Sequence, residues 1–424
     1  IAGHDFGHGS SEQNAWPDKG LHSMAVVIDP HPSTPEERFR MFFSEETTDP
    51  SRRVRCAHSP DGIHWRPYEE TPVMGRAEYV GDVSTLWYDE HSREFVMNTR
   101  KAGMTQSAVP SHFASVCPHQ PNYGWARPYA PRRPDLMNKR RVFQTRSHDF
   151  IHWSEPVEIL RPDDDEDNLD TMYYGMGQFQ VGRMHFGTLG VFRQVDNERD
   201  VRLVFSRDGL HWRRADRGNP FLAPRGAGHW DAHMVAVCNG PVEVNDRLLF
   251  FFGGSAGHHD YWMSEREGLD HPEAQDLSLA EFALGVASLR RDGFCGLSTS
   301  DVRPGVIATR PLCGPNTSLC YSPRCSHSKC SVNARCRPGG SIRARVTDPE
   351  GRVLEGFDFK DCEPFTGDAP DHVISWGGRK GVPGASGFRR YVFWLDKAEL
   401  FSFRCIAADG GSPGMPTSCA DVAT

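Results

Sequence analysis

No apolar run in this chain approaches the roughly 20 residues needed to cross a bilayer, so no transmembrane helix is expected and a membrane is not an expected partner. Positive charge is also short. Lys and Arg number 48 against 56 Asp and Glu, and the net charge of -8 gives no basic footprint for a nucleic-acid backbone. A Gly-rich phosphate loop, a zinc-protease helix and a nucleophile elbow are all missing, which removes the nucleotide, metalloprotease and serine-hydrolase readings those motifs would support. None of the 12 cysteines forms a Cys-x-x-Cys pair, the spacing structural zinc usually asks for. No cofactor and no metal are expected. The first residue is Ile1 and not Met, which leaves removal of an upstream segment open, and a signal peptide is neither seen nor excluded. What the chain does have is material for a core, with 38% hydrophobic and 11% aromatic residues over 424 positions.

It also repeats itself. The pattern Ser-x-Asp-[Gly/Phe]-[Ile/Leu]-His-Trp occurs at Ser59 to Trp65, Ser147 to Trp153 and Ser206 to Trp212, with a relative at Arg291 to Phe294. Asp can bond its own downstream amides, Gly can take the left-handed turn position, and Trp supplies an apolar anchor for the next strand. Each copy reads as a hairpin turn whose role is structural.

A second series runs in phase with the first. Counting from Asp61, Asp149 and Asp208, another aspartate stands 21, 21 and 23 residues later, at Asp82, Asp170 and Asp231. Each opens a strand-like run, and turn signals and a further strand follow, as in Glu94 to Thr99 and Arg247 to Phe252. Sequential hairpins in a repeated unit describe a propeller blade, and the innermost strands of all blades face one axis. Three carboxylates at inner-strand entrances would therefore converge. In the first unit, matching Val27-Ile28-Asp29 to Trp87-Tyr88-Asp89 puts His22 where Asp82 stands.

The blade pattern fades before about residue 305. A domain boundary is expected there, with 1–304 as the propeller, 305–408 as a second domain and 409–424 as a flexible Gly-, Ser- and Pro-rich tail. Alternating runs at Ser341 to Val346, Tyr391 to Trp394 and Leu400 to Phe403 read as an antiparallel β-sandwich. Residues 101–141 form a Pro- and Arg-rich insertion, read as a surface loop. Asp163 to Asp167 reads as a solvated acidic loop. For the cysteines clustered from Cys313 to Cys336, disulfides are the favoured reading, with unpaired thiols and metal as alternatives, and a secreted or otherwise extracytoplasmic location would follow. Cys56, Cys238 and Cys295 read as small buried residues on blade strands. Gly3 to Gly9 reads as a mobile end. His258-His259-Asp260 reads as a surface loop that could instead line the propeller mouth.

Ser206 to Trp212, Gly228-His-Trp-Asp231, Leu248 to Gly253 and Leu289 to Phe294 resemble bacterial relatives of the invertase and inulinase glycosidases. Val332 to Ala334, Gly351 to Phe357, Asp361-Cys362 and Gly367-Asp368 are similar to their appended sandwich, so the resemblance runs from about Leu21 to Cys405. It implies a five-bladed β-propeller followed by a β-sandwich, with a carbohydrate site in the axial funnel. Four units are countable, so the first blade is either upstream or a degenerate one within the first 20 residues. The family's nucleophile motif, its Arg-Asp-Pro and its Glu beside Cys are absent, so catalytic roles rest on position alone.

The expectation is a monomeric glycoside hydrolase whose catalytic residues are Asp82, Asp170 and Asp231, with His22, Trp230 and His233 lining the sugar site. Asp170 or Asp231 would serve as acid and Asp82 as nucleophile, base or stabiliser, because hydrolysis needs one proton donor and one carboxylate. Crowded carboxylates raise at least one pKa, which suits the donor. A non-catalytic carbohydrate-binding propeller is the competing class, and a metal-supported lyase or transferase is a third.

Overall fold

The computed structural model describes residues 21–45, 54–69, 73–74, 83–99, 106–107, 137–138, 140–163, 167–168, 171–182, 184–193, 196–216, 218–237, 239–259, 272–279, 281–300, 302–313, 327–383 and 388–407. The architecture is all-β. The other regular elements described are a one-turn helix, α1 (Pro272–Gln275), and two short 3-10 turns, Pro35–Glu37 and Leu277–Leu279. Among the described residues no helix is long and apolar enough to cross a membrane. The chain forms two compact units, the first Ile1–Gln180 with His185–Pro241 and Phe250–Ala287, the second Val181–Met184 with Val242–Leu249 and Ser288–Thr424.

Blade-like sheets follow one another along the described residues from Leu21 to Arg290. Strands β1 (Leu21–Ile28), β2 (Phe39–Glu45), β3 (Val54–Ser59) and β4 (Arg66–Pro67) form an antiparallel meander in chain order. After β5 (Val73–Met74) come β6 (Ser84–Asp89) and β7 (Glu94–Thr99), then the small hairpin β8 (Gln106–Ser107) and β9 (Met137–Asn138). The second meander is completed by β10 (Val142–Ser147), and beyond β11 (His152–Trp153) by β12 (Val157–Leu160). The third is β13 (Thr171–Val181), β14 (Met184–Arg193), β15 (Glu198–Ser206) and β16 (Trp212–Arg214). In the fourth, β17 (Met234–Ala236) and β18 (Val242–Val244) both pair with β19 (Arg247–Ser255), which also pairs with β20 (Phe282–Arg290).

Strand alternation is clear in β1, where Ala25 and Val27 are buried and Met24, Val26 and Ile28 are exposed. The buried pair joins Phe42, Leu86, Phe95, Phe150 and Trp153 in one cluster. At the other end of the unit, β20 exposes Phe282, Leu284 and Val286. The match between the first two units holds at atomic level. Asp29 and Asp89 are both buried at strand ends, and each accepts the amide of the histidine two residues on, His31 at 2.8 Å and His91 at 3.0 Å.

The three Ser-x-Asp repeats fold alike. In the first, Asp61 Oδ1 accepts the amides of Ile63 and His64, both at 2.8 Å, while its Oδ2 takes His64 Nδ1 at 2.7 Å. Ser59 Oγ accepts the Gly62 amide at 2.9 Å, and Trp65 Nε1 donates to the Gly62 carbonyl at 3.1 Å. Asp149 and Asp208 make the same bonds, to Ile151 and His152 and to Leu210 and His211. The fourth residue of each repeat is left-handed, with φ of 76° at Gly62, 73° at Phe150 and 73° at Gly209. Glycine is the unstrained choice there. Phe150 is held by complete burial and edge contacts to Phe95 and Trp153.

In the second unit β21 (Leu297–Ser298), β22 (Gly305–Ala308) and β23 (Leu312–Cys313) pair with β27 (Phe388–Ala407). That strand also lies along β24 (His327–Thr347), which in turn carries β25 (Asp368–Val373) and β26 (Val382–Pro383). Two runs read separately in the sequence, Tyr391 to Trp394 and Leu400 to Phe403, belong to the single long strand β27. Alternate residues Val332, Ala334, Ile342, Ala344 and Val346 of β24 face Phe357, Phe365, Ile374 and Trp376 in one apolar cluster.

The cysteine expectations need correction. Cys330 and Cys336 carry thiols and no disulfide. Cys330 lies in the apolar core, where burial pushes its thiol well up, and the Cys336 thiol, pushed up to about 11 by burial, donates to the Phe365 carbonyl. Cys56 is buried as expected, but Cys295 is exposed. It follows the turn after β20 and lies on no strand. Cys238, Cys320 and Cys325 lie outside the described residues, as does the side chain of Cys313.

Candidate functional site

Strand starts, not the Ser-x-Asp turns, collect the reactive side chains. Arg140 precedes β10, Tyr174 is the fourth residue of β13, Glu198 and Arg199 open β15, and Asp231 and His233 precede β17. Two backbone bonds tie these starts together: Tyr173 N donates to Arg140 O at 3.1 Å and Arg199 N donates to His233 O at 3.0 Å. Asn197, left-handed at φ 57° in the β14–β15 connection, accepts the amide of His259 through its carbonyl. The loop after β19 is thereby drawn to the same place.

Asp231 is 3% exposed and its Oδ1 holds Arg225 Nε at 2.7 Å. Trp230 stands beside it, stacked on Phe252 at 5.6 Å between ring centres, with the Arg225 guanidinium 5.7 Å from its own. The indole is thus a packed wall that keeps the Asp231–Arg225 pair in place. A carboxylate whose charge and one oxygen are engaged by a guanidinium is suited to stabilising positive charge or acting as base, less to donating a proton.

Two carboxylate–imidazole dyads lie next to it. His233 Nδ1 is 3.2 Å from Glu198 Oε1, and His258 Nδ1 is 2.6 Å from Glu273 Oε1. The two imidazoles stack at 3.7 Å with 22° between planes. Burial alone would raise the Glu273 carboxyl, but the amide and ring of His258 hold it below its ordinary value. Glu198 also takes Arg193 Nη2 at 3.2 Å, while Arg193 Nη1 reaches Asp200 at 2.6 Å. A carboxylate on Nδ1 fixes the ring's tautomer and leaves Nε2 as the working edge, the arrangement used to move protons or grip hydroxyls.

Of the expected site residues, the structure brings Asp231, Trp230 and His233 to one place. Asp82 and Asp170 lie outside the described residues. His22 sits on β1 with its backbone paired to Ser44, and its side chain lies outside them too. Val83, the residue after Asp82, packs against Met172, Tyr174 and Phe192. Sequence reasoning missed Arg140, Tyr174, Glu198, Arg199 and Glu273, none of which repeats. It also favoured a plain surface loop for His258 and His259, whereas His258 is paired with a buried glutamate and His259 packs on Tyr174 at 4.8 Å. The acidic run is not wholly solvated either. Asp167 holds Arg214 at 2.6 Å and the Tyr173 hydroxyl at 3.0 Å. Among the described residues no group of three His, Cys, Asp or Glu is placed to hold a metal ion.

No protein-family model matches this chain, and no curated protein does. Solved structures that it resembles include a GH32 β-fructofuranosidase from Bombyx mori, at 11% identity and a TM-score of 0.38 over 90% of this chain and 79% of that one. Another is a glycosyl hydrolase from Bacteroides ovatus, at 14% identity and TM-score 0.37 over 57% and 61%. A third, from the GH130 family of mannoside phosphorylases and glycoside hydrolases, has 12% identity and TM-score 0.37 over 57% and 62%. For the last two the matched part is less than two thirds of the neighbour's own length. These neighbours are glycoside hydrolases, and no residue role is carried over from them.

Proposed function

We propose that the protein is a glycoside hydrolase acting on oligo- or polysaccharide through the inner-strand carboxylates Asp82, Asp170 and Asp231. One observation carries the reading: a buried Asp231 held by Arg225 at a strand start, beside the stacked Glu198–His233 and His258–Glu273 dyads. Glycoside hydrolysis develops positive charge at the anomeric carbon and needs a proton on the leaving oxygen. Asp231 supplies the fixed negative charge, His233 grips a sugar hydroxyl, and Asp170 and Asp82 divide the acid and the nucleophile or base roles. The sequence resemblance to invertase-like glycosidases agrees with this.

The competing reading is a carbohydrate-binding protein without turnover. The observation favouring it is that Asp231 is already closed off by Arg225 and almost without solvent contact. A panel of furanoside and pyranoside oligosaccharides, with product detection, separates the two. Once a substrate is found, at least two of Asp82→Asn, Asp170→Asn and Asp231→Asn should lower turnover by about 100-fold or more with the fold intact. Turnover within a few-fold of the parent in all three would place the chemistry elsewhere.

A further inference from the structure

The ring of Tyr174 carries two guanidinium groups. Arg140 lies 4.4 Å from its centroid and Arg199 4.7 Å, while His259 meets its edge and Tyr174 itself is 7% exposed. Two like charges on one buried ring repel each other in a medium of low dielectric constant. Neighbouring arginines show what a paired guanidinium looks like in this unit: Arg193 meets Asp200 and Glu198, Arg214 meets Asp167, and Arg225 meets Asp231. Arg140 differs. Its Nε and Nη1 are buried and have no hydrogen-bond partner, although a guanidinium offers five donors in a rigid fork.

Burying such a donor unpaired costs stability, and a bound anion is one way in which the missing bonds are completed. The fork of Arg matches planar or tetrahedral oxyanions. From this we propose that Arg140, with Arg199 and His259, forms an oxyanion-binding subsite near Asp231, and that the saccharide bound there is acidic, carrying a uronate carboxylate or a sulfate. The proposal rests on the glycosidase reading for the saccharide, and on Arg140 alone for the anion. Position supports it. Arg199 is bonded through its amide to the carbonyl of His233, two residues from Asp231. Arg199 reaches its place because Gly190 has no side chain: a Cβ there would stand 2.9 Å from Arg199 Nη2.

Binding, not turnover, tests it. The probes are a galacturonate disaccharide, its methyl ester and inorganic phosphate, titrated calorimetrically into the parent, Arg140→Gln, Arg140→Lys and Gly190→Ala, with melting temperatures checking the fold. The expected result is that the uronate binds the parent at least 10-fold more tightly than its methyl ester, and that Arg140→Gln removes the difference. Arg140→Lys keeps part of it, and Gly190→Ala weakens it by displacing Arg199. Phosphate bound with the same dependence on Arg140, while both sugars fail, supports the oxyanion subsite and makes the anion free instead of sugar-borne. Equal affinity for the uronate and its ester, or anion binding unchanged in a folded Arg140→Gln, overturns the subsite. The glycosidase reading fails separately, if acidic sugars bind through Arg140 and none is cleaved.

Discussion

Strands β10 and β15 each have two ends, and the two ends obey different rules. At the C-terminal end stand Ser147 with Asp149 and Ser206 with Asp208, whose side chains repeat the same bonds to within a tenth or two of an ångström. At the N-terminal end stand Arg140 and Arg199, and nothing repeats. Two arginines make the contrast sharp. Arg40, near the repeated turns, is buried against Phe95 and Phe150, and its donors reach Asp29 at 2.8 Å, Tyr68 at 2.8 Å and the Asp149 carbonyl at 3.2 Å. It also lines a cavity of about 290 Å³ with Asp29, His31 and His148. Arg140, at the other end, is half-buried against one ring, with two buried nitrogens unpaired. Satisfied polar groups belong to scaffolding, and unsatisfied ones mark where stability has been given up.

If the turn end is scaffold alone, its largest side chain should cost stability and nothing else. Trp65 is 1% exposed, packs on Met41, Phe43 and Ala57, and bonds the Gly62 carbonyl. Trp65→Ala should lower the unfolding free energy by about 3–5 kcal/mol, measured by urea denaturation, through the cavity it leaves. Ligand affinity of the protein that remains folded should match the parent. A normal midpoint with lost affinity would erase the distinction between the ends.

A smaller effect isolates the backbone. At Gly62, φ is 76° and an added Cβ would meet the Phe39 ring at 3.5 Å, an ordinary contact. Gly62→Ala should therefore cost about 1 kcal/mol, the left-handed penalty without a packing term. Phe150 shows that a side chain is tolerated at this place when burial compensates. A neutral Gly62→Ala in the same urea assay would mean that the left-handed geometry is not what selects glycine in the repeat.

The contrast also explains what could be read from the chain. Repeated turns are local: Asp61 bonds residues two and three positions on, so a seven-residue pattern contains the whole geometry. The all-β class followed from that pattern, and so did the strand Glu94–Thr99, because alternation is written in consecutive residues. The dyads were not legible in this way. Glu198 and His233 are 35 positions apart and meet only because β15 and β17 touch at Arg199 and Met234. His258 and Glu273 are 15 positions apart, and the sequence between them carries no period. Asp231 could be singled out because it stands in series with Asp82 and Asp170, 23 residues after Asp208. Arg140 breaks every repeat, and only its missing partners distinguish it.

The smallest effect is electrostatic and belongs to the turn end. Burial works against the charge on Asp149, but the amide and ring of His152, the Ile151 amide and the Ser147 hydroxyl hold its carboxyl down at about 2. An unfolded Asp titrates near about 3.9. The folded state thus binds the proton more weakly, so this turn adds stability above about pH 4 and loses it as the pH falls toward 2. With the side chain 54% exposed, solvent screening limits the gain to less than about 1 kcal/mol. Asp149→Asn imitates the protonated acid without titrating. The stability gap between parent and Asp149→Asn, taken from urea curves, should be open at pH 6 and closed near pH 2. A gap of unchanged size at pH 2 would assign the turn's stability to the shape of its hydrogen bonds instead of the charge behind them.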